Sequence, residues 1–158
     1  PFWFKQAWLT SACLHLLPAA TPERQTMEAS LEAYLAAFLT DDHKGMLSFM
    51  ADEVSFSDPL SGNIDSKANL TKHLAQAGGV IGEITQRVED LAVQGNVAFL
   101  RWLHEGTNQV TGRRYSFSGV TFLRFKGSFV IEHRDFFDPK TLVSQFVEAK
   151  KHRSRANL

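Results

Sequence analysis

The first part of the chain carries apolar residues at helical spacing. Between Met27 and Leu39 they are Leu31, Tyr34, Leu35 and Phe38. Residues at this spacing fall on one face of a helix, and the pair Asp41-Asp42 then breaks the pattern. The spacing therefore predicts a helix over Met27–Leu39 that buries Tyr34 and leaves its hydroxyl in need of a partner.

Three further elements follow. The pattern predicts a short helix over His43–Met50 and a strand over Val54–Ser57 that stops at Asp58-Pro59. The sequence PLSGN is typical of a turn. A third helix, capped by Asp65 or Ser66, is expected to run to about Ala77, where Gly78-Gly79 would end it.

Beyond these glycines the hydrophobic period changes to two, which is typical of strands. Two hairpins are predicted, with turns at Gly95-Asn96 and Lys126-Gly127. Their strands are Glu83–Val93, Val97–Glu105, Arg114–Phe125 and Phe129–Phe137. Residues 141–150 are expected to form a closing helix. Helices followed by a curved antiparallel sheet predict an α+β domain with the helices on one sheet face.

We expect one domain, residues 27–150, with an N-terminal extension over 1–26 and a basic tail over 151–158. The extension contains AWLTSACLHLLPAA, which resembles the apolar core of a secretion signal but is too short to span a bilayer. It is either an ordered part of the protein or a product of upstream translation, with Met27 as the natural start. We expect a cytoplasmic protein, or a secreted one if the extension derives from a signal segment.

Composition narrows the function classes. Basic and acidic residues balance at 17 each, so no nucleic-acid partner is indicated. The single cysteine, Cys13, excludes an internal disulfide and a cysteine-cluster metal site. We see no phosphate-binding glycine motif and no zinc-type spacing, and expect no metal, no cofactor and no membrane partner. The 13 phenylalanines either fill a core or line an apolar cavity.

Asp135 is the most informative acidic residue of the chain. Strand alternation places it on one face with Ile131, His133 and Phe137. A carboxylate on an apolar face is costly unless it is hydrogen-bonded or its pKa rises, and such groups concentrate at functional sites. Asp135 is therefore either a functional acid or base, or a salt-bridged structural aspartate.

Three stretches resemble a known superfamily in matching order. They are LEAYLAAFLTDD, FMADEVSFSDPLSG and GVTFLRFKGSFVIEHRDFFDP. Together they resemble the nuclear transport factor two-like superfamily, and within it the SnoaL-like polyketide cyclases, ketosteroid isomerase and limonene epoxide hydrolase. The resemblance implies a cone-shaped α+β barrel, in which a strongly curved antiparallel sheet wraps around N-terminal helices and leaves a deep apolar pocket. It also implies a homodimer formed through the sheet face.

The resemblance carries three residues over. Tyr34 matches the tyrosine that donates a hydrogen bond to a substrate oxyanion, although it is also explained as a core tyrosine. Asp58 matches the isomerase base in VEDP, although an Asp-Pro at this place also shapes a turn in noncatalytic relatives. Asp135 matches the aspartate of WRDYFD in epoxide hydrolase and is the strongest candidate.

The departures from these families also matter. Thr121 stands near the place of the isomerase's second, protonated aspartate and of the cyclases' histidine. The strand FLRWLHEGT offers Arg101, His104 and Glu105 but lacks the second aspartate of the hydrolases, which disfavours epoxide hydrolysis. Alternation places His104 on the face of Trp102 and Arg101 on the other face.

These matches lead to one preferred function and one alternative. We expect a SnoaL-like isomerase, cyclase or dehydratase that acts on a small hydrophobic carbonyl compound by aspartate general acid/base catalysis. Tyr34 or His104 would serve as oxyanion donor. Residues expected to line the pocket are Thr121, Trp102, Phe117, His133 and Phe137. The alternative is a noncatalytic module of the same fold that binds small molecules or dimerises.

Overall fold

The computed structural model describes residues 22–77 and 81–146. Its helices are α1 (Pro22–Leu39), α2 (His43–Ser48) and α3 (Lys67–Ala77). The strands are β1 (Met50–Asp58), β2 (Gly62–Ile64), β3 (Ile81–Gln94), β4 (Val97–Asn108), β5 (Arg113–Lys126) and β6 (Phe129–Phe137). Residues 139–146 are helical as well.

The six strands form one curved, unclosed sheet in the order β2-β1-β6-β5-β4-β3. Neighbouring strands are antiparallel except β1 and β6, which are parallel and place Phe56 beside His133. The expected α+β class, with N-terminal helices against a curved and mostly antiparallel sheet, is confirmed.

The core lies between α1 and the facing side of the sheet. From α1 the buried side chains include all four residues of its apolar stripe. From the sheet they include Val54, Leu100, Leu123 and Val130. Arg101 lies on the other side of the sheet, as its alternation predicted. There it pairs with Glu89 and Asp90. The sheet therefore has one buried apolar face and one exposed face that carries charged side chains, as expected for a sheet covered on one side.

The strands and helices lie where the hydrophobic pattern placed them, with shifted ends. The bounds of β6 are as predicted, whereas α1 begins at Pro22, five residues before the predicted start. The predicted helix over His43–Met50 ends at Ser48, because Met50 already pairs with Val130 in the sheet. The same pairing lengthens β1 beyond the predicted Val54–Ser57.

Two local features were not predicted. The strand β2 pairs with the end of β1, so PLSGN leads directly into a short hairpin. A bulge in β6 places Ile131 outside the regular pairing, and Val130 is the buried residue before His133 on the core face. The prediction that Ile131 shares the face of Asp135 is therefore wrong at this one position.

Several predictions concern residues outside the described part of the chain. These are Cys13, the glycine pair at 78–79, the end of the closing helix and the basic tail. The same holds for residues 1–21 of the extension. In the described ranges 22–77 and 81–146, no helix is long and apolar enough to cross a membrane.

Candidate functional site

Asp135 lies on β6 directly opposite Thr121 of β5, and both side chains are on the core face of the sheet. The Thr121 hydroxyl donates a short hydrogen bond to Oδ1 of Asp135. Nε2 of His133 lies 3.0 Å from the same oxygen. Hydrogen bonding is thus how the fold accommodates this carboxylate, one of the two solutions that the sequence allowed.

The hydrogen bonds continue beyond these two residues. Nδ1 of His133 lies 2.7 Å from the Tyr34 hydroxyl, and Nε1 of Trp102 donates to Thr121 Oγ1 at 2.8 Å. An indole N–H only donates, so the Thr121 hydroxyl accepts it and turns its own hydrogen toward Asp135. A carboxylate only accepts, which assigns the proton of neutral His133 to Nε2 and makes Nδ1 the acceptor of the Tyr34 proton.

Two hydrogen-bond relays therefore end on Asp135. Tyr34 donates to His133 in one and Trp102 donates to Thr121 in the other, and His133 and Thr121 then donate to the carboxylate. We call Tyr34, His133, Asp135, Thr121 and Trp102 the Asp135 network. Tyr34 and Thr121 are fully buried, and the His133 side chain is 1% exposed, whereas the Asp135 side chain is 18% exposed. Asp135 is consequently the most exposed member of the network.

The electrostatics of Tyr34 agree with its role as a donor. Burial, and then the negative charge of Asp135, raise the pKa of Tyr34 well above its ordinary value. The phenol therefore keeps its proton at neutral pH and donates it to His133.

Two phenylalanine rings adjoin the network at Trp102. Trp102 lies edge-on to Phe117, with ring centroids 5.4 Å apart at an interplanar angle of 90°. Phe137 contacts both rings. Its centroid lies 6.2 Å from that of Trp102 and 5.1 Å from that of Phe117. Since Phe137 follows Asp135 by two residues on the same strand face, the carboxylate has apolar neighbours on this side.

A second polar pair lies farther along the same face. Nε2 of His104 is 2.9 Å from the Tyr115 hydroxyl, and the two rings stack. Burial lowers the pKa of His104 and keeps the imidazole neutral, while burial raises the pKa of Tyr115 to about 12. His104 also contacts Phe117, with centroids 5.0 Å apart, so the aromatic rings connect this pair to the Asp135 network.

Asp58 has a different environment. Its Oδ1 accepts the backbone N–H groups of Leu60 at 2.6 Å and Ser61 at 2.7 Å. This geometry is typical of an aspartate that shapes a turn. None of the described contacts brings Asp58 to the Asp135 network.

Two cavities lined by described residues lie elsewhere. One of about 620 Å³ runs along α1 beside Phe49, and one of about 480 Å³ lies beside α3 around His73. The apolar pocket expected next to Asp135 therefore stays a prediction. No group of three or more potential metal ligands occurs in the described residues.

The helices packed against one face of a curved, unclosed sheet define a nuclear transport factor two-like fold. The SnoaL-like domain family model matches residues 31–133. The chain therefore belongs to the SnoaL-like domain family. The match ends two residues before Asp135 and includes Tyr34, Trp102, Thr121 and His133.

Solved structures agree with this fold. An NTF2-like protein from Burkholderia pseudomallei is 17% identical with a TM-score of 0.69, over 76% of this chain and 96% of that one. TerC, co-crystallized with polyporic acid, is 20% identical with a TM-score of 0.67, over 76% and 97%. An LEH-like epoxide hydrolase from M. tuberculosis is 14% identical with a TM-score of 0.65, over 85% and 99%. A comparison with curated proteins found no match.

Proposed function

We propose that this protein is a cofactor-independent isomerase, cyclase or dehydratase that moves a proton on a small hydrophobic carbonyl compound. Asp135 is the general base and acid. One observation carries the proposal: two hydrogen-bond relays, one through His133 and one through Thr121, end on a single carboxylate, and this carboxylate is the exposed member of an otherwise buried network.

The two hydrogen bonds to Asp135 both end on Oδ1, and no described side chain bonds to Oδ2. Oδ2 is therefore the atom that takes a proton from the carbon beside the substrate carbonyl. The electrons of the broken C–H bond form an enolate, and the same oxygen returns the proton to the product. Proton transfer of this kind contributes about a hundred- to ten-thousandfold to the rate.

Tyr34 and His133 orient the base in this mechanism and do not contact the substrate. The Tyr34 hydroxyl is buried and already bonded to His133, so this geometry favours a positioning role over the expected role as oxyanion donor. Because Nε2 of His133 carries a proton, the imidazole holds Oδ1 of Asp135 while Oδ2 reacts.

His104 and Tyr115 are proposed to bind a distant polar group of the ligand. His104 lies opposite Phe117, four residues before Thr121 on β5, which corresponds to about 13 Å along a strand. That span exceeds the distance between a reacting carbon and its carbonyl oxygen. It matches an elongated aromatic molecule lying along Trp102, Phe117 and Phe137, and the complex of TerC with polyporic acid supports a ligand of this general kind.

Exchange of α-protons tests the proposal without knowledge of the natural substrate. The protein is incubated with 2-tetralone and related aryl ketones in D₂O, and deuterium at the α-carbon is followed by NMR. We expect exchange above the buffer rate in the wild type and loss of this excess in Asp135→Asn. Exchange that equals the buffer rate for every ketone, or that persists in Asp135→Asn, would contradict the assignment of Asp135 as the base.

A second function, dimerisation, is favoured by the outer face of the sheet. Phe99, Val120 and Phe136 are exposed there, and Phe99, Phe122 and Phe136 border a groove of about 310 Å³ together with Arg124, Glu132 and Arg134. Exposed aromatic groups bordered by charged groups suit an interface between identical copies, in which the aromatic groups form the buried centre and the charged groups form the rim. We propose a homodimer through this face, which is compatible with catalysis in each subunit.

A further inference from the structure

Trp102 of β4 lies directly opposite Gly119 of β5. A Cβ added at Gly119 would lie 2.5 Å from Cζ2 and 2.7 Å from Cη2 of the indole, and 2.8 Å from the Phe136 carbonyl oxygen. These distances are shorter than any packed contact between carbon atoms. Gly119 does not have a left-handed backbone conformation. What the glycine provides here is room for the indole to lie across the neighbouring strand.

The position of the ring decides where its N–H points. With the indole across Gly119, Nε1 reaches the hydroxyl of Thr121, two residues farther along β5. Because Thr121 accepts this hydrogen bond, its own hydrogen is directed to Oδ1 of Asp135. A methyl group added at position 119 would displace the indole. Thr121 would then lose the hydrogen bond that orients its hydroxyl.

We infer that Gly119 is a positioning residue for Asp135, and that it acts through Trp102 and Thr121. The inference rests on the proposed function, because it explains how the base is held. It adds to the site a residue that has no side chain. Gly119 would thus be required for reactivity although it contacts neither the substrate nor Asp135.

The sheet contains a matched control. Gly106 of β4 lies opposite Tyr115 of β5, and a Cβ there would lie 2.5 Å from the Tyr115 hydroxyl oxygen and 2.7 Å from its Cζ. The same ring-over-glycine arrangement thus occurs twice on these two strands. At Gly106 the ring reaches His104, outside the Asp135 network. Gly106→Ala therefore introduces a comparable clash without touching Trp102.

NMR of the labelled full chain tests the inference without any substrate. The indole N–H of Trp102 is assigned by its loss in Trp102→Phe, and the carboxyl carbon of Asp135 by its change in Asp135→Asn. We expect Gly119→Ala to shift both resonances clearly more than Gly106→Ala, whose effect reaches Trp102 only through Phe117. In the Trp102→Phe background, Gly119→Ala should shift the Asp135 resonance less than it does in the wild-type background, because only the contact with the Phe136 carbonyl then remains. Unchanged resonances in Gly119→Ala, or an equal response in Gly106→Ala, would overturn the inference.

Thr121→Val keeps the test decisive if Gly119→Ala does not fold, since it removes the hydroxyl and preserves the side-chain shape. It should shift the same two resonances, and unchanged resonances would again overturn the inference. A misplaced base reacts more slowly, by up to about a hundredfold for a displacement of 1 Å. Gly119→Ala should therefore slow α-proton exchange as well. If the resonances respond but the wild type exchanges no ketone protons, the positioning stands and the proposed function fails.

Discussion

His133 and Asp135 lie two positions apart on β6, and their side chains are joined by a hydrogen bond of 3.0 Å between Nε2 and Oδ1. The other ring nitrogen of His133 accepts the proton of Tyr34 from α1. A single imidazole therefore connects the helical layer to the carboxylate on the sheet. Because its two nitrogens have different partners, its tautomer is defined, and Asp135 always receives a donor.

The two candidate bases can be separated by isosteric changes. Asp135→Asn keeps the shape but removes the group that takes the proton, so we expect at least about a hundredfold loss of α-proton exchange. Asp58→Asn preserves an oxygen that accepts from Leu60 and Ser61 and should retain full activity. Exchange rates and urea unfolding of both variants provide the measurement. Loss of activity in Asp58→Asn alone would identify Asp58 as the base.

Removal of the Tyr34 hydroxyl should destabilise the protein. Tyr34→Phe leaves the buried Nδ1 of His133 without its donor, which costs about 1–3 kcal/mol. Tyr115→Phe is the matched control, because its hydroxyl also bonds to a histidine but at a less buried site. We expect the larger decrease in the free energy of unfolding for Tyr34→Phe. Equal or smaller loss in Tyr34→Phe would show that its bond to His133 contributes little.

The two tyrosines of the chain make its alkaline behaviour simple to measure. Burial raises the pKa of both above 10.0, so the native state retains two protons that the unfolded chain loses near that pH. Below pH 10.0 these two groups should therefore not make the free energy of unfolding depend on pH. Above it the free energy of unfolding should fall by about 1.4 kcal/mol per pH unit for each tyrosine.

Ultraviolet titration of tyrosinate at increasing pH checks this directly. Tyr34→Phe should leave one titration near pH 12, which belongs to Tyr115. Tyr115→Phe should leave a titration that coincides with unfolding. Appearance of tyrosinate in the folded Tyr115→Phe protein near pH 10 would contradict the burial of Tyr34.

The proposed dimer predicts a charge-sensitive interface on the outer sheet face. Phe136 is 56% exposed in the single chain, and Phe136→Glu would place a desolvated charge within the interface. Leu60→Glu is the control, because Leu60 is equally exposed, at 55%, but lies in the turn after β1. Sedimentation equilibrium should show a dimer for the wild type and Leu60→Glu and a monomer for Phe136→Glu. A monomeric wild type, or a dimeric Phe136→Glu, would exclude this interface.

The hydrophobic pattern predicted most of the fold because several of the longer elements bury an apolar stripe. The stripe of α1 and the alternation of β4, β5 and β6 identify their buried faces, and short turns at Gly95 and Gly127, both with positive φ, join the strands. The strand β2 could not be predicted in this way, since three residues are too few for a period.

The candidate site was predicted only in part. Alternation placed Asp135 and His133 on one face, and the resemblance identified Tyr34, but no local signal connects Tyr34 with His133, which lies 99 residues later. Asp58 shows the converse, because its motif allowed either a base or a turn-shaping residue, and its backbone contacts are those of a turn.

The sequence by itself determined which residues face the core and that an acid lies among them, because burial follows from local periodicity. Tertiary structure decided which donors meet that acid. The turn at Gly127 pairs Lys126 with Phe129. If the pairing continued regularly from there, Thr121 would lie opposite Arg134. The bulge in β6 shifts the register by one residue and brings Thr121 opposite Asp135. Such a shift is a property of the pairing between two strands, so the pattern of a single strand cannot predict it.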